Sequence, residues 1–179
     1  MSISENKAIQ YYQLAYQMAE IFSKDPSCRV GCILLAPRSY QILSMGYNGM
    51  PRSINENIPE RWIRPTKYQL IEHAERNALY NACRHGTPLE GSLAVITMFP
   101  CFDCARGLIQ SGINTVISHQ PEHKRARWGE TWKVARGLLE EAGIEIILLP
   151  SETLEKPLDI KVKIPPELLT TEHMNSQYH

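Results

Sequence analysis

No sign of charge predominates in this sequence: Lys and Arg number 19, Asp and Glu 19. A chain that coats nucleic acid through backbone phosphates needs a large basic excess, so that role is not expected, although a local basic pocket is compatible with zero net charge. No stretch approaches the roughly 18 consecutive apolar residues of a membrane helix, and no membrane association is expected. The start, Met1-Ser2-Ile3-Ser4-Glu5-Asn6-Lys7, lacks a charged-then-apolar secretion signal. Internal repeats and low-complexity tracts are absent. Disorder is excluded by an apolar fraction of 43%. The five cysteines cannot all pair within one chain. Without a secretion signal, reduced thiols or metal ligands in a cytoplasmic protein are expected rather than a disulfide framework.

What is present organises 179 residues into one domain over 1–150 and a tail over 151–179. Ser2 and Glu5 have capping-box spacing, and Ile9, Tyr12, Ala15, Tyr16, Ala19 and Phe22 recur at helical period, predicting a helix over about residues 5–23. Asp25-Pro26 ends it. Apolar runs at 30–36 and 41–47, joined by Pro37-Arg38-Ser39, read as a hairpin. From 46 to 65, Gly, Pro, Asn and Arg predict a long irregular loop, which in a compact domain is often functional. A helix is predicted from about residue 68 to 84, with His73-Ala74-Glu75 at a helix opening. Strands at 93–99, 113–118 and 144–149 alternate with helices at 103–110 and 128–141, which predicts a parallel portion of sheet. The expected fold is α/β, a mixed sheet of about five strands with helices on both faces. In the tail, alternation over 158–164 suggests an edge strand, and the last ten residues read as disordered.

The chemistry concentrates at His73-Ala74-Glu75 and at Pro100-Cys101-Phe102-Asp103-Cys104, each at a predicted helix start. Two thiolates two residues apart can grip one Zn2+ from a single turn, and one imidazole adds a third ligand. Both helix N-termini would favour thiolates. Three protein ligands leave a fourth position for water, where a structural site would be closed by four. Zinc lowers the pKa of such a water from 15.7 to about 7. Glu75, two residues from His73, would sit beside that position and handle protons without ligating the metal. Either half of the pattern alone is weak; together, with Pro100, they form the H-x-E plus P-C-x-x-C signature of zinc deaminases. The bland alternative is a helix cap with buried thiols by coincidence.

Over residues 7–149 the chain resembles the deoxycytidylate (dCMP) deaminases of the cytidine deaminase superfamily. The resemblance rests on Ser23-Lys24-Asp25-Pro26, Val30-Gly31, Gly46-Tyr47-Asn48-Gly49-Met50-Pro51, His73-Ala74-Glu75-Arg76-Asn77-Ala78, Phe99-Pro100-Cys101-Phe102-Asp103-Cys104-Ala105 and Gln110-Ser111-Gly112-Ile113. It implies a three-layer α/β/α fold and zinc-dependent hydrolysis of dCMP to dUMP and ammonia, supplying dUMP for thymidylate synthesis. It makes His73, Cys101 and Cys104 the zinc ligands and Glu75 the proton shuttle. It has the Ala74 carbonyl accept a hydrogen bond from the departing amino group, Asn48 contact sugar or effector, and Lys24 meet a substrate phosphate. It further implies a homohexamer activated by dCTP and inhibited by dTTP, with Mg2+ on the triphosphate and Tyr47, Asn48 and Gly49 in the effector loop. The chain departs from the family pattern at Cys28-Arg29, at Glu72 and across 118–128. Deamination of dCTP or a free nucleoside, and a purely structural zinc module, are the competing readings.

Other residues carry weaker expectations. Cys28, Cys32 and Cys83 read as packing residues, with a second zinc site as the alternative for the first two. Trp128 reads as core with base stacking as the alternative, and His119 draws interest because it ends a strand. Arg52, Arg64 and the run Lys124-Arg125-Ala126-Arg127 are candidates for meeting a phosphate.

Overall fold

The computed structural model describes residues 3–119 and 129–150. The expected edge strand at 158–164, the disordered end, Trp128 and the basic run at 124–127 lie outside the described residues, as does Ser2.

Helix α1 spans Glu5–Phe22. It starts where expected, but its N-cap is Ser4 rather than Ser2: the Ser4 Oγ accepts from the Lys7 N–H at 3.4 Å. Strands β1 (Gly31–Leu35) and β2 (Ile42–Tyr47) form the expected antiparallel hairpin. The loop that follows is less irregular than its composition implies: a 3-10 turn occupies Pro59–Trp62 and helix α2 occupies Thr66–Leu70. Then come α3 (Ala74–Arg84), β3 (Leu93–Ile96), α4 (Phe102–Gln110), β4 (Thr115–His119), α5 (Gly129–Glu141) and β5 (Glu145–Leu149).

The sheet order is β2-β1-β3-β4-β5. β1 is antiparallel to both its neighbours, while β3, β4 and β5 run parallel, as the strand–helix alternation requires. Alternate residues of the central strands feed two cores. Ile33, Leu35, Val95 and Ile117 pack with α1; Cys32, Leu34, Ala94, Ile96 and Val116 pack with α3, α4 and α5. β1 and β3 are buried at every position, so helices cover both faces and the architecture is three-layered. No helix among the described residues is long and apolar enough to cross a membrane.

One predicted element divides. Instead of a single helix over 68–84, α2 and α3 are separated at 71–73. The Gly49 and Glu72 backbones exchange N–H···O bonds of 3.1 and 2.9 Å, which draws Glu72 out of helical geometry. His73 is thereby extended (φ −76°, ψ 156°) and becomes the N-cap of α3. α3 then lies directly on β2 at Gly46, where an added Cβ would meet the Ala78 N at 2.3 Å and the Ala74 O at 2.5 Å. Only glycine permits this approach, and the approach fixes the helix start that carries His73 and Glu75.

Candidate metal centre and active site

The break before α3 and the turn after β3 bring two helix starts together. His73 is the N-cap of α3 and Cys101 the N-cap of α4, both in extended backbone; Cys104 lies in the first turn of α4. The His73 Nδ1 is 3.5 Å from the Sγ of Cys101 and 3.5 Å from that of Cys104. The ligand atoms of all three lie within 4.8 Å of one another, the only such His/Cys/Asp/Glu group among the described residues. A tetrahedral zinc with Zn–S of about 2.3 Å and Zn–N of about 2.0 Å separates its S and N ligands by about 3.5 Å. The residues therefore fit a zinc ion without rearrangement.

Their protonation points the same way. The Cys104 thiol donates to Cys101, and this bond, with the nearby His73, holds Cys101 down at about 4 despite burial. Cys104 moves in the opposite direction: donating to Cys101, burial and the nearby Glu75 all raise it. Donation from Cys104 thus favours the thiolate form of Cys101. His73 is raised, chiefly by its bond to Cys101, and partly opposed by its burial. A divalent cation bound here would displace the thiol proton of Cys104 and make both sulfurs thiolates.

Glu75 lies in the first turn of α3 and is 3% exposed. Burial raises its carboxyl pKa; His73 opposes the shift and Cys101 adds to it. A carboxyl held above its ordinary range beside the metal ligands is suited to taking and returning a proton near neutrality. Arg76 follows, its Nε donating to Glu72 at 2.6 Å and its Nη1 to the Cys104 Sγ at 3.7 Å. Neighbouring groups of this kind orient metal ligands and tune their charge.

These groups open into a partly open, mostly apolar cleft. His73, Ala74, Glu75 and Cys101 form its reactive end, with Tyr68, Ile71, Met98, Phe99 and Trp132 among its walls. The Ala74 carbonyl is turned toward Gly46 on β2. Asn48 also lines the cleft, and protein groups engage its whole amide. The Nδ2 donates to Asp25 Oδ2 (3.0 Å) and to the Cys28 carbonyl (2.8 Å), while Oδ1 accepts from the Val30 N–H (2.8 Å) and Ser23 Oγ (2.9 Å).

Sequence reasoning missed a buried ion pair in the cleft wall. Lys67, on α2, places Nζ 2.7 Å from Asp25 Oδ1, 2.5 Å from Oδ2 and 2.7 Å from Ser27 Oγ. The two side chains are 5% and 1% exposed. In the local sequence Asp25 reads as a helix stop, and its partner lies 42 residues away; burial of both, which no local pattern reveals, is the missing signal. The pair ties α2, with its cleft residues Tyr68 and Ile71, to the loop after α1.

The remaining candidates fall elsewhere. Lys24, exposed and paired with Glu56, lines a separate hollow with Tyr47, Gly49 and Arg52, away from the metal ligands. There Phe22 stacks on Tyr47 with ring centroids 5.7 Å apart, and Arg52 donates to Asn81. Arg64 lies over the ring of Tyr68. His119 places Nδ1 3.3 Å from the Tyr12 hydroxyl. Cys32 is fully buried, Cys28 half-buried in the cleft wall, and Cys83 exposed.

The family model for the cytidine and deoxycytidylate deaminase zinc-binding region matches residues 5–120. A protein of Aliivibrio fischeri described as an uncharacterized deaminase in the luxG 3' region is 38% identical over 144 residues, 78% of this chain and 94% of that protein. Human deoxycytidylate deaminase is 33% identical over 114 residues, 60% of this chain and 62% of the human protein. Among solved structures, dCMP deaminase of the cyanophage S-TIM5 in complex with dCMP and dUMP shares the fold, with a TM-score of 0.64 and 22% identity over 83% of this chain and all of that one. A His–Cys–Cys triad able to hold zinc at two helix starts, a buried glutamate beside it and a match across most of the described sheet lead to one conclusion: the chain belongs to the cytidine and deoxycytidylate deaminase family of zinc-binding deaminases.

Proposed function

We propose that the protein hydrolyses dCMP to dUMP and ammonia. The observation that carries this is the buried Glu75 carboxyl beside the His73–Cys101–Cys104 cluster, lining the same cleft. When bound, zinc supplies the Lewis acidity that makes water nucleophilic at neutral pH. Glu75 accepts the proton of the attacking water and delivers it to the pyrimidine ring nitrogen. It then takes the remaining proton from the added hydroxyl and passes it to the amine, which leaves as ammonia as the carbonyl of dUMP forms. Phe99 and Trp132, each 2% exposed, exclude water from the rear wall. Kinship with the human, phage T4 and other deoxycytidylate deaminases supports the substrate. The zinc-loaded protein should release ammonia from dCMP in preference to deoxycytidine, dCTP and an oligonucleotide. Preference for any of the other three would replace the substrate assignment while leaving the chemistry.

The hollow that gathers Lys24, Tyr47, Gly49 and Arg52 supports a regulatory role for a triphosphate such as dCTP or dTTP, with Mg2+ on its phosphates. Adding dCTP should raise dCMP turnover and dTTP should lower it; turnover unmoved by both refutes this role. Exposed Ile21, Phe22, Met45 and Tyr80, near the end of α1 and on β2 and α3, support self-association as a homohexamer. Light scattering of the purified protein reads this directly, and a monomer contradicts it.

A further inference from the structure

Asp25 and Lys67 line the same cleft as His73 and Glu75, and the proposed reaction uses neither. Asp25 is 1% exposed, and its carboxylate gathers three segments distant in sequence. In its own loop, Oδ1 accepts from the Ser27 N–H (2.9 Å), Ser27 Oγ (3.0 Å) and the Cys28 N–H (3.2 Å). From α2, Lys67 Nζ donates to Oδ1 (2.7 Å) and to Oδ2 (2.5 Å). From the end of β2, Asn48 Nδ2 donates to Oδ2 (3.0 Å). Cys28, Val30, Asn48, Tyr68 and Ile71 belong to these segments, and all line the cleft. α2 is five residues long and has no side-chain cap at its N-terminus, so it depends on tertiary ties to hold its place.

A buried ion pair is a poor device for stability alone. Desolvating both charges offsets most of their attraction, and an apolar pair of like volume often joins two segments as firmly. What an apolar pair cannot supply is orientation. A carboxylate only accepts, so it turns the donor end of the Asn48 amide toward itself and leaves Asn48 Oδ1 to the Val30 N–H and Ser23 Oγ. We propose that Asp25, held by Lys67, is a positioning residue for substrate binding: it fixes the Asn48 amide and the α2 wall in one arrangement, so that the cleft meets its ligand preformed. This role rests on the deaminase activity proposed above, and not on which cytosine substrate the cleft takes.

Asp25→Asn separates orientation from bulk. Its one oxygen can serve the Ser27 and Cys28 N–H groups or Asn48 Nδ2, but not both, and its own N–H groups then face donors on the other side. Adding Lys67→Met leaves no unpaired buried charge, so stability should return most of the way to wild type. The full-length zinc-loaded single (Asp25→Asn) and double variants are assayed on dCMP, deoxycytidine and dCTP, with KM and kcat read on the substrate that the wild type turns over most efficiently. In both variants KM should rise about 10-fold or more, as for the loss of one or two oriented hydrogen bonds, with kcat within about 3-fold and one zinc per chain. The urea midpoint should differ between the two while the KM effect persists. A KM that follows the midpoint back to wild type in the double variant overturns the positioning role, and so does a loss carried by kcat or by zinc content. A wild-type protein that deaminates none of the three substrates overturns the proposed activity, and this role with it.

Discussion

Replacing Gly46 by alanine should damage the catalytic centre from a distance, through the backbone. The added methyl would lie 2.3 Å from the Ala78 N and 2.5 Å from the Ala74 O, whereas real Cβ contacts essentially never fall below 3.0 Å. Both obstacles are backbone atoms of α3, so no rotamer change relieves them. Restoring an acceptable contact moves helix against strand by about 0.7 to 1 Å, and such forced overpacking costs about 1–3 kcal/mol. The displaced helix starts at His73 and carries Glu75 in its first turn. A misplacement of about 1 Å in catalytic groups costs about 100-fold in rate. Urea unfolding of the zinc-replete protein should show the stability loss, and dCMP turnover at saturating substrate the rate loss. A Gly46→Ala protein within about 0.5 kcal/mol of wild type that retains full turnover would refute the claim that this contact sets the position of α3.

Three further outcomes follow from the same structure. Lys67→Met leaves Asp25 buried without its cation and should destabilise the fold by about 3–5 kcal/mol, while Asp25→Asn combined with Lys67→Met should recover much of that loss; denaturant melts of the single and double variants read the coupling, and equal losses would contradict it. Gly137→Ala, on the exposed side of α5 with nothing within 4 Å of an added Cβ, should stabilise by about 0.5–1 kcal/mol with turnover unchanged. A lower melting midpoint for that variant would show that the space beside α5 is occupied. Metal removal by a chelator should abolish turnover, and added Zn2+ should restore it; activity that survives exhaustive chelation contradicts a metal-dependent reaction.

The elements that sequence revealed are those whose signal is local. α1, the β1–β2 hairpin and the β3–α4–β4–α5–β5 succession each carry their own periodicity and stop residues. The His73–Cys101–Cys104 cluster was legible for the same reason: Cys101 and Cys104 lie three residues apart at one helix start, and His73 and Glu75 sit two residues apart. What escaped depends on contacts between distant segments. The break between α2 and α3 comes from the Gly49–Glu72 bridge, and the residues involved do not themselves stop helices. Asp25 and Lys67 look like an ordinary helix stop and an ordinary surface lysine until the fold buries them together. Lys24 lines the separate hollow and pairs with Glu56, a partner 32 residues away that its local sequence does not announce.

The central claim is a division of labour: His73, Cys101 and Cys104 hold the metal, and Glu75 moves protons without touching it. Glu75→Gln tests this most directly, measured as zinc per chain together with dCMP turnover. The expected result is one zinc per chain, as in the wild type, and turnover reduced by about 100- to 10,000-fold. Zinc lost along with activity, or activity retained, would contradict the account.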